Sequence, residues 1–105
     1  MTKAEELKEQ LAVIEHERWG DWQRWMHMQC ATNEDGSITI PAALVERWER
    51  QIDTPYAELS DKEKRSDMDQ VDRYWPLVEA FILESVKKAK SEIQDPNRFV
   101  RRPHE

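Results

Sequence analysis

The sequence has few of the residues that stabilise secreted and turn-rich proteins. Its 105 residues include one cysteine, Cys30, so no intrachain disulfide can form and a disulfide-stapled scaffold is excluded. Two glycines are too few for a turn-rich β protein or a phosphate-binding glycine loop. No apolar run approaches the roughly 20 residues that span a bilayer, and the N-terminus is typical of mature protein without a leader. We therefore expect a cytoplasmic protein with no membrane partner.

Positive charge is also scarce. The net charge is −6 and the isoelectric point about 5.1, whereas nucleic-acid binding usually needs a basic face. The one concentrated basic segment is the tail, with Arg98, Arg101 and Arg102, and it is typical of a solvated terminus. We expect no nucleic-acid partner.

Charge of both signs is abundant: 36% of the residues are charged, 38% are hydrophobic and the mean hydropathy is −0.95. A chain of this length forms one domain. Its polarity suits the thin core of two or three packed helices better than a sandwich or a doubly wound sheet. The composition therefore favours an all-α fold.

Helical signals divide the chain into three predicted helices. Thr2 and Glu5 form a capping box that opens helix 1, which the apolar periodicity extends to about residue 30. A turn cluster follows at 33–37 and a short extended stretch at 38–40, and Pro41 opens an amphipathic helix over 41–53. Ser60 and Glu63 form a second capping box.

Helix 3 is predicted to begin after Ser60 and to fade near residue 93, with Pro76 inside its apolar pattern. The pattern resumes in phase after Pro76, which favours a kink over a split. The predicted fold is thus a helical hairpin or bundle: two long packed helices, the second kinked at Pro76, and a shorter inserted helix. Residues 1–95 form the domain and 96–105 an extended or flexible tail.

Arg18 is the residue that most clearly departs from the apolar pattern. It falls between Ile14 and Trp22 in the middle of the helix 1 stripe, and a core-facing arginine needs a paired, hydrogen-bonded partner. Asp67, on the apolar face of helix 3, is the predicted partner, with Glu15 near Lys64 or Arg18. Three interpretations remain open: a polar cluster that fixes helix register, the lining of a ligand pocket, or an arginine that extends to solvent.

Five tryptophans are many for a chain of this length. Four of them are predicted to form one aromatic cluster: Trp19, Trp22, Trp25 and Trp48. Such a cluster is typical of a core or a dimer seam, and the alternative is an aromatic pocket for a base or a cation.

Catalytic and metal-binding patterns are weak. No His, Cys, Asp and Glu set has metal-ligand spacing, so no metal or cofactor is predicted. Cys30 and His27 are three residues apart without further support for a catalytic pair. Glu46 with Glu49, and Asp69 with Asp72, have the E-x-x-E/D type of spacing with which all-α nucleotide pyrophosphohydrolases bind magnesium. A magnesium-dependent hydrolase therefore remains one alternative.

Two segments of the chain contain an ordered set of motif residues, which lie in about half of the chain: His16, Glu17, Trp19, Pro55, Tyr56, Leu59, Glu63, Lys64 and Asp67. This set resembles the ryanodine-receptor repeat (RyR) domain. That family has an H-E-x-W helix followed by a P-Y-x-x-L-x-x-x-E-K-x-x-D segment that opens a second long helix. The G-W-x-x-G element of the family is absent, and residues 28–53 contain the predicted inserted helix instead. The chain looks like the small stand-alone form found in bacteria and their phages.

The resemblance implies a helical hairpin with a binding or scaffolding role, and a nucleotide-like ligand in some bacterial members. Carried over to this sequence, the site comprises His16, Trp19, Tyr56, Lys64 and Asp67. The apolar stripe of helix 1, which Arg18 interrupts, adds Arg18 and Glu15. Our leading hypothesis is a non-enzymatic, self-associating interaction module, with a dimer favoured. The alternatives are a small-molecule binder with a pocket between helices 1 and 3, and the magnesium-dependent hydrolase.

Overall fold

The computed structural model describes residues 1–94, and within them the chain is almost entirely helical. The elements in order are α1 (Lys3–Gln29), β1 (Ala31–Thr32), β2 (Ile38–Thr39), α2 (Ala42–Asp53), a 3₁₀ helix (Tyr56–Glu58), α3 (Asp61–Asp72) and α4 (Trp75–Gln94). The all-α prediction is confirmed. The predicted tail at 96–105 lies outside the described residues.

α1 begins where the capping box placed it. Thr2 Oγ1 accepts a hydrogen bond from the Glu5 backbone N–H at 3.1 Å, and Thr2 N–H donates to the Glu5 carboxylate at 3.0 Å. These two bonds satisfy amide groups that the first turn of a helix leaves without partners. α1 ends at Gln29, and the extended Cys30 leads into a β-hairpin.

The hairpin joins α1 to α2 through the predicted turn. Ala31 pairs with Thr39 and Thr32 with Ile38 in an antiparallel two-stranded sheet. Gly36 has a φ of 87°, the left-handed region that favours glycine. The Asp35 carboxylate accepts from the Ser37 hydroxyl at 2.6 Å and from its N–H at 2.9 Å, and these bonds lower the pKa of Asp35.

The prediction of one kinked helix after Ser60 is wrong, because α3 and α4 are separate helices with Arg73 and Tyr74 between them. Pro76 has no N–H to donate to the Asp72 carbonyl, and its ring crowds that carbonyl. The backbone instead forms shorter-range bonds, from Arg73 N–H to Gln70 O at 3.2 Å and from Tyr74 N–H to Val71 O at 3.1 Å. Pro76 then lies in the first turn of α4, where proline is tolerated.

α1 and α4 pack as an antiparallel pair. Lys3, at the start of α1, forms an ion pair with Glu84 in α4, and Asp21, in the second half of α1, pairs at 3.0 Å with Arg73, just before α4. Because the partners of successive α1 residues come in reverse order, the two helices run in opposite directions. No helix of the described part is long and apolar enough to cross a membrane.

The molecule is open and elongated. Its radius of gyration is 23.0 Å, against about 13 Å for a compact chain of this length. None of the described residues is buried, so the thin core expected from the composition is absent from the single chain. The α1 stripe is half-buried at most, at Leu7, Leu11 and Ile14.

Candidate functional site

A cleft of about 650 Å³ opens between α1, α2 and α3. Its size is in the range of small-ligand sites. It brings together residues that lie far apart in sequence, and its lining includes Arg18, Asp21, Trp22, Trp25, Arg47, Gln51, Lys62, Glu63, Asp67 and Arg73. Four cationic side chains in this lining face three carboxylates and two indole rings.

Arg18 and Asp67 both line this cleft, but Arg18 does not pair with Asp67. Its Nε donates to the Glu15 carboxylate at 2.9 Å, and its Nη2 contacts the other oxygen of the same group. This contact lowers the pKa of Glu15 and raises that of Arg18. The predicted Arg18–Asp67 pair is therefore wrong for the single chain, because a carboxylate one helical turn away meets the guanidinium first.

Two further contacts hold the walls of the cleft. The Arg73–Asp21 pair joins the end of α3 to α1, and Gln51 Nε2 in α2 donates to Glu63 Oε2 in α3 at 2.9 Å. Ser60 also donates to Glu63, at 2.8 Å, and these two hydrogen bonds lower the pKa of Glu63. One polar contact therefore ties α3 to α2, and another ties the end of α3 to α1.

Three tryptophan side chains pack together, and two of them, Trp22 and Trp25, line the cleft. The centre of the Trp48 ring, from α2, lies 6.0 Å from that of Trp22 and 6.2 Å from that of Trp25. The ring planes are inclined to the Trp48 plane by 51° and 53°, respectively. This geometry is typical of aromatic pairs in protein interiors. The predicted cluster is confirmed for these three residues and is wrong for Trp19, whose ring stacks on His16 at 6.1 Å.

The remaining predicted site residues lie outside the cleft lining. His16 and Trp19 form their own stacked pair on α1. Lys64 places its ammonium 5.9 Å from the centre of the Tyr56 ring, a cation–π contact. Of the seven predicted residues, the structure brings Arg18 and Asp67 to the cleft, with Glu15 in contact through Arg18.

Sequence reasoning missed several cleft residues: Arg47, Gln51, Lys62 and Arg73. In the described part of the chain neither Arg47 nor Lys62 has an ion-pair partner, and neither do Glu63 and Asp67 of the same lining. The cleft lining therefore has unpaired charges of both signs. On a helical wheel Arg47 and Lys62 fall on polar faces. The sequence pattern there is the same for a cation that lines a cleft and for one that is fully solvated. Only the packing of α2 beside α3 shows that these two residues line a cleft.

Metal-binding geometry is not found in residues 1–94. No three His, Cys, Asp or Glu side chains there are close enough together to hold a metal ion. The acidic pairs Glu46 with Glu49 and Asp69 with Asp72 belong to no such group. The geometry therefore gives the hydrolase hypothesis no support.

Comparisons of the chain with protein-family models, with curated proteins and with solved structures give no match.

Proposed function

We propose that this protein is a helical interaction module that acts by binding rather than by catalysis, and that it self-associates, most simply as a dimer. The supporting observation is the lack of a buried residue anywhere in residues 1–94. Many large apolar side chains are exposed instead, including Trp75, Ile82, Leu83 and Ile93. A folded chain normally covers such residues, because apolar burial is the main favourable term in folding.

The exposed area is large for a chain of this mass. The accessible surface is 9273 Å², whereas a compact monomer of 12.6 kDa exposes about 6,200 Å². The difference reflects helices that the single chain leaves uncovered, and a standard interface takes only roughly 800 Å² from each partner. A second copy supplies a matching apolar surface in equal amount, and closed two-fold dimers are the commonest soluble assemblies.

Sedimentation equilibrium tests this proposal. We expect a species of twice the 12.6 kDa chain mass at micromolar concentration, with far-UV circular dichroism showing that it is helical. A helical species of single-chain mass at every concentration would refute self-association.

A second candidate function is the binding of a small anionic ligand with an aromatic group, as the resemblance to the RyR domain implies. The observation that favours it is the cleft, whose lining combines the cationic side chains of Arg47 and Lys62 with the rings of Trp22 and Trp25. Arginine forks and indole faces suit phosphate and base, respectively. A cytoplasmic location fits both functions and is part of the proposal.

A thermal-shift screen of nucleotides in the presence of a chelator tests the second candidate. We expect stabilisation that Arg47→Gln removes. Arg65→Gln is the matched control, because Arg65 is an exposed arginine on a helix and does not line the cleft. Stabilisation that requires magnesium and is lost in Glu46→Gln would favour the hydrolase instead.

A further inference from the structure

α1 covers only part of the apolar face of α4. The half-buried side chains Leu77, Val78 and Phe81 share one side of the helix. A second apolar stripe lies roughly a right angle away around the axis, at about 100° per residue, and its members are exposed: Trp75 45%, Ile82 48%, Val86 46% and Ile93 62%. Two apolar stripes on one helix are what a bundle of four helices requires, since each helix there contacts two neighbours.

Part of this second stripe extends beyond the end of α1. Lys3, the first residue of α1, contacts Glu84, and α4 continues for ten more residues to Gln94, which is about 15 Å. The last turns of α4, with Ile93, therefore extend past the start of the antiparallel α1. Within the described residues, no helix of the same chain packs on this segment.

Charge is distributed unevenly along α4. The first half contains Glu79 and Glu84, whereas the second half contains Lys87, Lys88 and Lys90, with Glu92 as the exception. Two parallel copies of this helix would bring like charges together, and two antiparallel copies bring the acidic half of each beside the basic half of the other. Antiparallel pairing also aligns the helix dipoles favourably.

The apolar stripe and the charges point to the same register. If the four stripe residues of two antiparallel copies pair with each other, Ile82 lies opposite Val86 and Trp75 lies opposite Ile93. Both pairs are centred on position 84. That register also brings Glu79 within one residue of Lys90 of the second copy, on the edge of the seam.

We propose that two copies of this chain associate through α4 in antiparallel orientation, centred near position 84, so that α1 and α4 of both copies form a four-helix bundle. This inference rests on the self-association proposed above and specifies its surface. A second copy of the chain covers the exposed stripe, because the charge pattern of α4 is complementary to that of a second, antiparallel α4.

Disulfide trapping tests the orientation in the full chain. In a Cys30→Ser background, one chain has Glu79→Cys and a second, tagged chain has Ala89→Cys; the two are co-expressed and oxidised. The proposed register places these positions opposite each other, at a spacing that suits a disulfide. We expect the mixed disulfide and little of either homodisulfide.

Other trapping results would overturn the orientation. Predominant homodisulfides would indicate parallel pairing. No disulfide from a sample that sediments as a dimer would place the seam elsewhere while self-association stands. A helical single-chain species in sedimentation would instead overturn the proposed function itself, and the two failures are therefore distinguishable.

Charge reversal gives a second readout. Glu79 also accepts a hydrogen bond from Trp75 Nε1 in the same helix at 3.0 Å, so circular dichroism must show that each variant stays helical. We expect Glu79→Lys to raise the dimer dissociation constant about tenfold, because it brings like charges together at both symmetry-related edges of the seam. Adding Lys90→Glu should restore dimerisation to near the original value. Glu17→Lys, on the exposed side of α1, is the control. A double variant as weak as the single one would contradict the proposed contact.

Discussion

Glu63 is a residue whose charge contributes to the local geometry of the cleft. It accepts hydrogen bonds from Ser60 and Gln51, and its backbone N–H donates to Ser60 Oγ at the start of α3 at 3.2 Å. The bonds from Ser60 and Gln51 favour the ionised carboxylate and lower its pKa below the usual 4.5. The link between α2 and α3 therefore depends on ionisation.

This dependence predicts how stability changes with pH. A carboxyl whose folded pKa is lowered contributes stability that is complete above its unfolded pKa and is lost as pH falls through the folded value. We expect Glu63→Gln to be less stable than the original chain at pH 7 and equal to it once pH falls well below 4.5. Urea unfolding at a fixed protein concentration measures the difference, with Glu17→Gln as a control. A difference that persists unchanged at low pH would contradict this assignment.

Trp48 is the side chain that joins α2 to α1. It is half-buried and meets both Trp22 and Trp25. Each aromatic pair is worth about 0.5–1.5 kcal/mol beyond its buried area, so we expect Trp48→Ala to lower the free energy of unfolding by about 2 kcal/mol. Chemical denaturation followed by circular dichroism measures it.

Trp19 provides the matched comparison for Trp48. It is 54% exposed and stacks on His16 of the same helix. We expect Trp19→Ala to cost less than half of what Trp48→Ala costs. Equal losses would mean that the Trp48 contacts are not what holds α2 in place.

At the scale of elements, the break between α3 and α4 is attributed to one residue. Pro76 removes the N–H that would bond to the Asp72 carbonyl, and the turn at Arg73 and Tyr74 results. We expect Pro76→Ala to join α3 and α4 into one helix over 61–94. The new amide hydrogen at position 76 should then be protected in hydrogen exchange measured by NMR, and the Arg73–Asp21 contact should weaken as Arg73 turns with the helix.

Pro41→Ala is the control for this change. Pro41 precedes α2 at its cap, where the amide hydrogen of a helix start has no intrahelical partner. Its replacement should leave the new amide unprotected. An equally unprotected amide at position 76 would show that Pro76 is not the cause of the break.

The sequence predicts the elements better than their arrangement, for physical reasons. The caps at Thr2 and Ser60 are local hydrogen bonds and were recognisable from spacing alone. The position of Asp67 relative to Arg18 depends on how α3 packs against α1. The spacing of residues in the sequence does not determine that packing. The prediction that Glu15 lies near Arg18 or Lys64 is confirmed for Arg18, which donates to the Glu15 carboxylate. The predicted partner from another helix, Asp67, is not used, because Glu15 is one turn away on the same helix.

At the scale of the whole molecule, the composition predicted a thin core and the single chain has none. Apolar periodicity indicates which face of a helix is covered. It does not indicate whether the same chain or another chain covers that face. For α1 the stripe meets α4 in part, whereas the stripe of Ile82, Val86 and Ile93 remains exposed. The same apolar pattern therefore corresponds to an intramolecular contact on α1 and to an exposed surface on α4.

Without a buried core, folding and assembly should be one equilibrium. The stability of such a dimer rises with protein concentration, because mass action favours the associated, folded state. A hundredfold increase adds about 2.7 kcal/mol, which corresponds to a rise in Tm of about 5–10 °C for a dimer of some 200 residues.

Circular dichroism melts at micromolar and at hundred-micromolar chain concentration measure this coupling. We expect the higher Tm in the concentrated sample, and a loss of the concentration effect in Ile82→Glu, which places a charge in the proposed seam. Val13→Glu is the control, since Val13 is similarly exposed at 55% but lies on α1. A Tm independent of concentration, with full helicity in the dilute sample, would mean that the half-buried contacts of α1 with α4 suffice to fold a lone chain.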